Sequence, residues 1–203
     1  LEISNGDFLQ RGIEDPNRNR IEAENINFKM DQVYIGPEDT TTQNQFFYAQ
    51  DAQVEISNVR LALADGVHWI SGEDIFLSSF DDRIAINNVK VLPLENNSQE
   101  TDKTLFEIDI PYISLGNANL KKIYNEKILD IDEMIITSPE VLLRDLKATQ
   151  NKTGKSTLQE LTQDYLKAIY VKRLEMTEGS LVLDNNLRVR QDSLSFGKIS
   201  FVL

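Results

Sequence analysis

The side chains that could carry out chemistry in this chain are few and widely spaced. His68, in the run Val67-His-Trp-Ile70, is its single histidine, and the chain has no cysteine. A Ser-His-Asp triad needs a nucleophile elbow near a histidine, and thiolate or multi-histidine metal sites need further ligands. Because the sequence offers none of these, we expect His68 to be a structural or solvent-facing strand residue.

Acidic residues occur in pairs, and Asp130 and Asp132 share one face of a predicted strand. Two carboxylates on one face are the arrangement of a glycosidase pair or of a calcium site, although the spacing of an EF-hand loop is absent. Such pairs also arise readily on solvated strand faces in a chain with 33 acidic residues. We therefore predict that the protein is not an enzyme and has no catalytic residue, cofactor or metal.

The charge of the chain excludes one class of partner. The 33 acidic and 21 basic residues give a net charge of −12, and a surface of that sign repels phosphate backbones, so nucleic acid is not an expected partner. No run of 18 apolar residues occurs, so we expect no transmembrane segment. The chain starts at Leu1 rather than Met and ends inside a strand-like run, which we interpret as a segment of a longer protein.

The elements that would position a site are strands with one recurring pattern: apolar, any, apolar, two of any type, apolar, any, apolar. Its eight copies begin at Ile21, Val54, Ile70, Ile84, Ile108, Leu129, Ile169 and Leu194. The two-residue gap would move the second half of the strand to the opposite face, unless a β-bulge absorbs the extra residue. Asn, Asp, Ser and Gly fill many gaps, which favours a bulge over a strand that crosses between two layers.

A longer phrase occurs three times, at residues 1–10, 134–143 and 174–183, with Gly6, Pro139 or Gly179 at its centre. We interpret it as a strand, a turn at the Gly or Pro, and a second strand. The repeats predict a mainly β fold, with antiparallel strand-turn-strand units in one long twisted or curled sheet. Residues 1–203 would form a single repetitive domain, with the polar loop 94–103 as the best internal boundary.

Two short helices are expected beside the strands. The first covers residues 117–126, where Leu120, Ile123 and Tyr124 have helical spacing and Asn117 or Asn119 can cap the helix. The second follows Ser156, which begins a capping box with Gln159 and precedes an apolar stripe: Leu158, Leu161, Tyr165 and Leu166.

The phrase at residues 137–142 and 177–181, together with the strand, helix and strand of residues 110–132, resembles the AsmA-like superfamily, especially the large AsmA-family proteins of Bacteroidetes. The resemblance covers most of the chain and rests on pattern, without an invariant chemical residue. It implies a periplasmic body anchored in the inner membrane by an N-terminal helix, which this chain lacks. It also implies a sheet curled into a groove that serves phospholipid movement and outer-membrane biogenesis.

Seven aromatic residues are candidates to line an apolar groove: Phe46, Phe47, Trp69, Phe76, Phe80, Tyr112 and Phe196. Any one of them could instead fill the core, so the expectation depends on the whole set. An apolar sheet face with few helices needs cover, which acyl chains of phospholipid or the remainder of the parent protein would supply. The hypothesis is a non-enzymatic periplasmic scaffold or lipid groove. The alternative is an extracellular recognition or adhesion module, for example one that binds carbohydrate.

Overall fold

The computed structural model describes residues 1–11, 20–33, 49–94, 105–144, 162, 165–185 and 192–203. Within these ranges the chain forms one sheet of ten strands, which confirms the mainly β prediction. The first six are β1 (Glu2–Gln10), β2 (Ile21–Val33), β3 (Ala49–Ala62), β4 (His68–Ser78), β5 (Arg83–Pro93) and β6 (Leu105–Gly116). Each pairs antiparallel with the next, so they form a meander.

The remaining elements are α1 (Leu120–Glu126), β7 (Ile128–Thr137), β8 (Glu140–Arg144), β9 (Ala168–Asn185) and β10 (Asp192–Val202). β7 and β8 occupy one strand position, because both lie between β6 and β9. β9 runs parallel to both of them, and β10 pairs antiparallel with β9. β5 and β6 pair directly, so the chain before and after the predicted 94–103 boundary belongs to one sheet. Residues 95–104 lie outside the described ranges.

A line of backbone irregularity, which we call the crease, crosses the sheet from strand to strand. The residues paired along it are Glu24, Asn58, Glu73, Asn87, Tyr112, Thr137 and Thr177. The left-handed residues at or beside it are Asn5, Asn25, Asp74, Asn88, Ser138, Glu178 and Lys198. Asn and Asp tolerate this conformation better than most side chains, which explains their place in the gaps of the repeated pattern.

The bulge interpretation of the gap is confirmed in β5. Ile84, Val89 and Val91 are buried on both sides of the gap, with 7%, 4% and 7% of their surface exposed, whereas the left-handed Asn88 is exposed. The register of β5 against β4 shifts by one residue at this point and then returns. The extra residue is therefore absorbed, and the apolar groups before and after it lie on one face.

The sequence predicts a chain turn at the centre of the longer phrase, whereas the structure has a bend within a strand position. Gly6 and Gly179 lie inside β1 and β9, and the left-handed residue is the one that precedes each of them. Gly179 lies in a closely packed place: a Cβ atom there would be 3.2 Å from Pro139 Cγ and from Met176 Cε, so these neighbours would have to shift to admit a larger residue. Pro139 itself separates β7 from β8 without changing the strand position.

Helix α1 confirms the first helix prediction, and its cap is Asn119, whose side chain accepts a hydrogen bond of 3.0 Å from the Lys122 N–H. Leu120 and Ile123 of this helix pack on a core cluster that includes Ile84, Leu115 and Ile131. The sequence predicts two helices, whereas the described residues contain one, α1; of the second predicted helix, residues 156–161, 163 and 164 lie outside the described ranges. Thr162 has helical backbone, and its carbonyl accepts from the N–H groups of Tyr165 and Leu166 at 2.9 and 2.8 Å. The described residues contain no helix that is long and apolar enough to cross a membrane.

A contact between distant strands shows that the sheet is curved. The hydroxyl of Tyr165, three residues before β9, donates a hydrogen bond of 2.7 Å to the carbonyl of Ala62 at the end of β3. β3 and β9 are five strand spacings apart, which is about 24 Å in a flat sheet. Three residues and a tyrosine side chain cannot bridge that distance in addition to the offset along the strands. The curvature agrees with the predicted curled sheet.

Candidate functional site

An apolar surface crosses the sheet on both sides of the crease. The first apolar row is a series of residues each paired with the next across neighbouring strands: Ile21, Leu61, Ile70, Val91, Ile108, Val141, Leu181 and Phe196. The second apolar row has the same construction: Ile3, Phe28, Val54, Leu77, Ile84, Leu115, Met134 and Leu174. Because the bulges keep both rows on one side of the sheet, they form a continuous surface, which we call the apolar face.

The apolar face is covered only in part by the described residues. Helix α1 packs near the middle of the second row, where Ile84 and Leu115 are buried. Away from the helix most row residues are half-buried, and on the outer strands Ile3 is 51% and Phe196 is 46% exposed. Removing apolar surface from water contributes about 25 cal/mol per Å². Burial of this face by an apolar ligand or partner would therefore make a favourable contribution to the free energy of binding.

The aromatic residues predicted to line a groove are mostly placed elsewhere. Of those described, only Phe196 belongs to an apolar row. Trp69 precedes Ile70 in β4 and therefore points to the opposite face, where the guanidinium carbons of Arg20 and Arg60 lie 5.5 and 5.0 Å from its ring centroid. Phe46 and Phe47 lie outside the described residues.

Phe76, Phe80 and Tyr112 also lie off the apolar face. Phe76 precedes the row residue Leu77, and the Tyr112 hydroxyl accepts a hydrogen bond of 2.7 Å from the Arg83 guanidinium on the opposite face. Phe80 lies in the turn between β4 and β5 and is 71% exposed. The structure thus builds its apolar face largely from Ile, Leu, Val and Met. The sequence holds a signal for this, since Trp69, Phe76 and Tyr112 lie outside the apolar positions of the pattern.

A concavity beside the crease is more polar. It has a volume of about 280 Å³ and is lined by Asn27, Glu55, Ile56, Ser57, Asp74, Ile75 and Phe76. Asn27, Glu55 and Phe76 are directly paired on adjacent strands, and Asp74 is the left-handed residue of β4. Carboxylates and an amide provide hydrogen-bonding groups, and the phenyl ring provides an apolar surface. Together these groups could recognise a small polar ligand with one apolar side.

His68 is a buried strand residue, which agrees with the structural and not with the solvent-facing one of its two predicted placements. It is fully buried, its Nδ1 lies 2.6 Å from Asp65 Oδ2, and its Nε2 accepts a hydrogen bond of 3.2 Å from the Phe106 backbone N–H. This network places the proton of the neutral ring on Nδ1. Burial would raise the pKa of Asp65, but hydrogen bonds from His68 and from the Val67 N–H outweigh that effect and lower it. Both ring nitrogens are therefore engaged in holding the β3–β4 turn against β6.

Asp130 and Asp132 each form an ion pair with a lysine. Asp130 accepts from Lys122 Nζ of α1, and Asp132 lies 2.6 Å from Lys172 Nζ on β9. The hydrogen bond from Lys172 lowers the pKa of Asp132, and the hydrogen bond to Asp130 raises the pKa of Lys122. A carboxylate held ionised in this way is a poor proton donor. The contacts link β7 to its neighbours.

Sequence reasoning missed this pairing between two copies of the repeated pattern. The gap residues Asp132 and Glu133 lie opposite Lys172 and Arg173, and Glu133 accepts a hydrogen bond from the Arg173 guanidinium. The sequence contained a signal for this pairing. The gap residues of the two copies are 40 positions apart and carry opposite charges, acidic in the first copy and basic in the second. Within the described ranges, no group of three or more His, Asp or Glu side chains is placed to hold a metal ion.

Comparisons with protein-family models, with curated proteins and with solved structures each found no match. The function is therefore inferred from the chain's own residues.

Proposed function

We propose that this protein is a non-enzymatic segment of an AsmA-like envelope protein and supplies a scaffold or apolar groove for phospholipid acyl chains. The observation that carries the proposal is the apolar face, on which two rows of paired apolar residues cross the sheet and are covered only in part by the described residues. A periplasmic location, on a parent protein anchored in the inner membrane, follows from the resemblance of residues 110–132 and of the repeated phrase.

The dimensions of the apolar face suit an extended acyl chain. A row of eight paired residues covers seven strand spacings, which is about 34 Å in length. The hydrocarbon core of a bilayer, which holds the chains of two opposed lipids, is about 30 Å thick. One row is therefore longer than a single chain needs. With a net charge of −12, the protein gains little from anionic head groups, so apolar contact has to supply most of the affinity.

Native mass spectrometry of the chain after incubation with phospholipid vesicles tests the proposal. We expect lipid at a defined stoichiometry, and no binding of glycerophosphate, which has the head-group chemistry without acyl chains. Phe196→Ser, on the first apolar row, should reduce lipid capture. Leu92→Ser is the matched control, because Leu92 is similarly exposed (44% against 46%) but lies on the opposite face beside Trp69. No capture by the wild-type chain, or equal loss in both variants, would contradict the proposal.

The alternative, a recognition module that binds carbohydrate, is favoured by one observation, the concavity beside the crease. Glu55, Asp74 and Phe76 combine hydrogen-bonding groups with a phenyl ring at this site. A glycan array probed with the wild-type chain and with Phe76→Ala distinguishes the two functions. Binding that is lost in Phe76→Ala, without lipid capture, would select the recognition module over the lipid groove.

A further inference from the structure

The strand pair β9–β10 is a second copy of the strand pair β1–β2. Asn5 and Glu178 are 173 positions apart, and so are Asn25 and Lys198. All four have left-handed backbone, with φ of 57°, 52°, 53° and 56° in that order. In both pairs the register shifts by one residue at the crease and then returns. The two strand pairs therefore share their bulges as well as their sequence pattern.

The hydrogen bonds of the two strand pairs also correspond at the same spacing. Leu1 and Met30 exchange backbone bonds of 2.9 and 2.8 Å, and their counterparts Leu174 and Leu203 exchange bonds of 3.1 and 2.9 Å. The N–H of the left-handed residue has the same kind of acceptor in each pair: Asn5 N–H donates to Asn27 Oδ1 at 3.1 Å, and Glu178 N–H donates to Ser200 Oγ at 3.0 Å. β1 can therefore be treated as the equivalent of β9.

The two equivalent strands differ at their other edge. β9 is paired there, in parallel, with β7 and β8. At the crease this pairing uses two bonds of 2.8 Å, from Ser138 N–H to the Thr177 carbonyl and from Ser180 N–H to the Pro139 carbonyl. The equivalent groups of β1 are the carbonyl of Ser4 and the N–H of Asp7, on its outer edge, where none of the described strands pairs. An open edge of this kind is a template for a further strand.

The side chains of β1 are exposed at the positions that the neighbouring strand helps to cover in β9. Ile3 and Phe8 are 51% and 48% exposed, whereas their equivalents Met176 and Leu181 are half-buried. Leu1 and Leu9 are likewise exposed, at 69% and 52%. Burial of these apolar groups by a parallel neighbour would add to the main-chain hydrogen bonds.

We propose that the outer edge of β1 binds, in parallel, an extended strand of the β7–β8 type, as presented by another repeat of this architecture. The bound strand would carry apolar residues in line with both apolar rows and a Ser-Pro or similar break at the crease. Its N–H before the break would donate to the Ser4 carbonyl, and its next carbonyl would accept from the Asp7 N–H. The apolar face would then continue past β1. This inference is independent of whether the face binds lipid.

Site-specific disulfide formation with a peptide tests both the edge and the register. The chain has no cysteine, so each introduced thiol is unique. The probe is a peptide of residues 128–144 with Thr137→Cys. Thr137 pairs with Thr177, whose equivalent on β1 is Ser4, so the full chain with Ser4→Cys should react at least tenfold faster than the chain with Gln10→Cys. The same peptide without the Thr137→Cys change should compete for the edge and slow this reaction.

Two further cysteine variants of the full chain show whether the peptide binds somewhere other than the outer edge of β1. Faster reaction of Val202→Cys would place the peptide on the β10 edge, and faster reaction of Thr177→Cys would mean that it replaces β7 and β8 beside β9. Either result, or no preference for Ser4→Cys over Gln10→Cys, or no reaction at all, overturns the proposal. Hydrogen exchange gives an independent readout, because bound peptide should slow exchange of the Asp7 N–H several-fold and leave that of Lys198 on β10 unchanged.

Discussion

Replacing His68 by Phe tests its structural role, and the size of the effect follows from the contacts of the ring. The ring is fully buried and stacks on Phe106 with centroids 3.9 Å apart, so Phe would keep the volume and the stacking contact. Two polar contacts disappear, because Asp65 Oδ2 loses this donor and the Phe106 N–H loses its acceptor. Each buried hydrogen bond left unmade costs about 1–3 kcal/mol. We therefore expect the free energy of unfolding to fall by about 2–6 kcal/mol.

Urea unfolding at pH 7 measures this difference, and its pH dependence provides a second check. Hydrogen bonds hold the pKa of Asp65 below its usual value in the folded chain, against the effect of burial. A lowered pKa contributes stability above the unfolded value of about 3.9, and that contribution is lost as the pH falls through the folded value. Since His68 supplies part of this effect, the stability gap between the wild type and His68→Phe should narrow below about pH 4.

The matched control is Phe80→Ala, which removes an aromatic ring that is 71% exposed in the β4–β5 turn, at the other end of β4 from His68, and should change stability by less than about 0.5 kcal/mol. The structural account is refuted if His68→Phe is as stable as the wild type at pH 7. It is also refuted if the deficit remains unchanged at pH 3. Loss of lipid capture or of glycan binding by a fully stable His68→Phe variant would instead assign a functional role to the ring.

Substitutions at three further positions, Ile131, Asn88 and Gly72, test the core and the crease, and all are measured by chemical unfolding. Ile131→Ala, at a side chain with no exposed surface, should cost about 2–5 kcal/mol, whereas Tyr170→Ala, with 59% exposure on the next strand, should cost less than about 1 kcal/mol. Asn88→Gly should be close to neutral and Asn88→Val should cost about 1–2 kcal/mol, because its φ of 48° suits Gly and not a β-branched residue; equal effects would exclude a conformational cause. Gly72→Ala should cost about 1–3 kcal/mol, since the new Cβ would lie 2.8 Å from Ile86 Cγ2, and the cost should shrink in an Ile86→Ala background.

The strands and their bulges could be predicted because they depend on neighbouring residues. Alternation places apolar groups on one face whatever the partner strand is, and short polar residues such as Asn25, Asp74 and Asn88 adopt the left-handed conformation with little strain. The cap of α1 at Asn119 is a local feature of the same kind. Each of these features is determined by residues that are close together in the sequence, so it can be predicted without knowing which strands pair.

The parallel pairing of β9 with β7 and β8 could not be predicted from local pattern, because it joins residues 40 positions apart through a connection over 145–167. Any two strands with the same alternation could pair equally well by that criterion. The ion pair between Asp132 and Lys172 and the contact between Tyr165 and Ala62 depend on this pairing. The aromatic residues predicted to line a groove were chosen by residue type alone, and most of the described ones lie off the apolar face because strand alternation points them to the other side.

The crease and the apolar face are two consequences of one sequence feature. If β5 alternated without an extra residue at Asn88, Val89 and Val91 would point to the side now occupied by Lys90. Burying each such valine contributes about 1.5–3 kcal/mol, so a strand without the gap would lose several kcal/mol of apolar burial. Because adjacent strands pair gap against gap, a strand that lacked the extra residue would also fall out of register with both neighbours. The gap is therefore kept in line across the sheet by pairing and by burial together, and this explains why a bulge recurs in strand after strand of this chain.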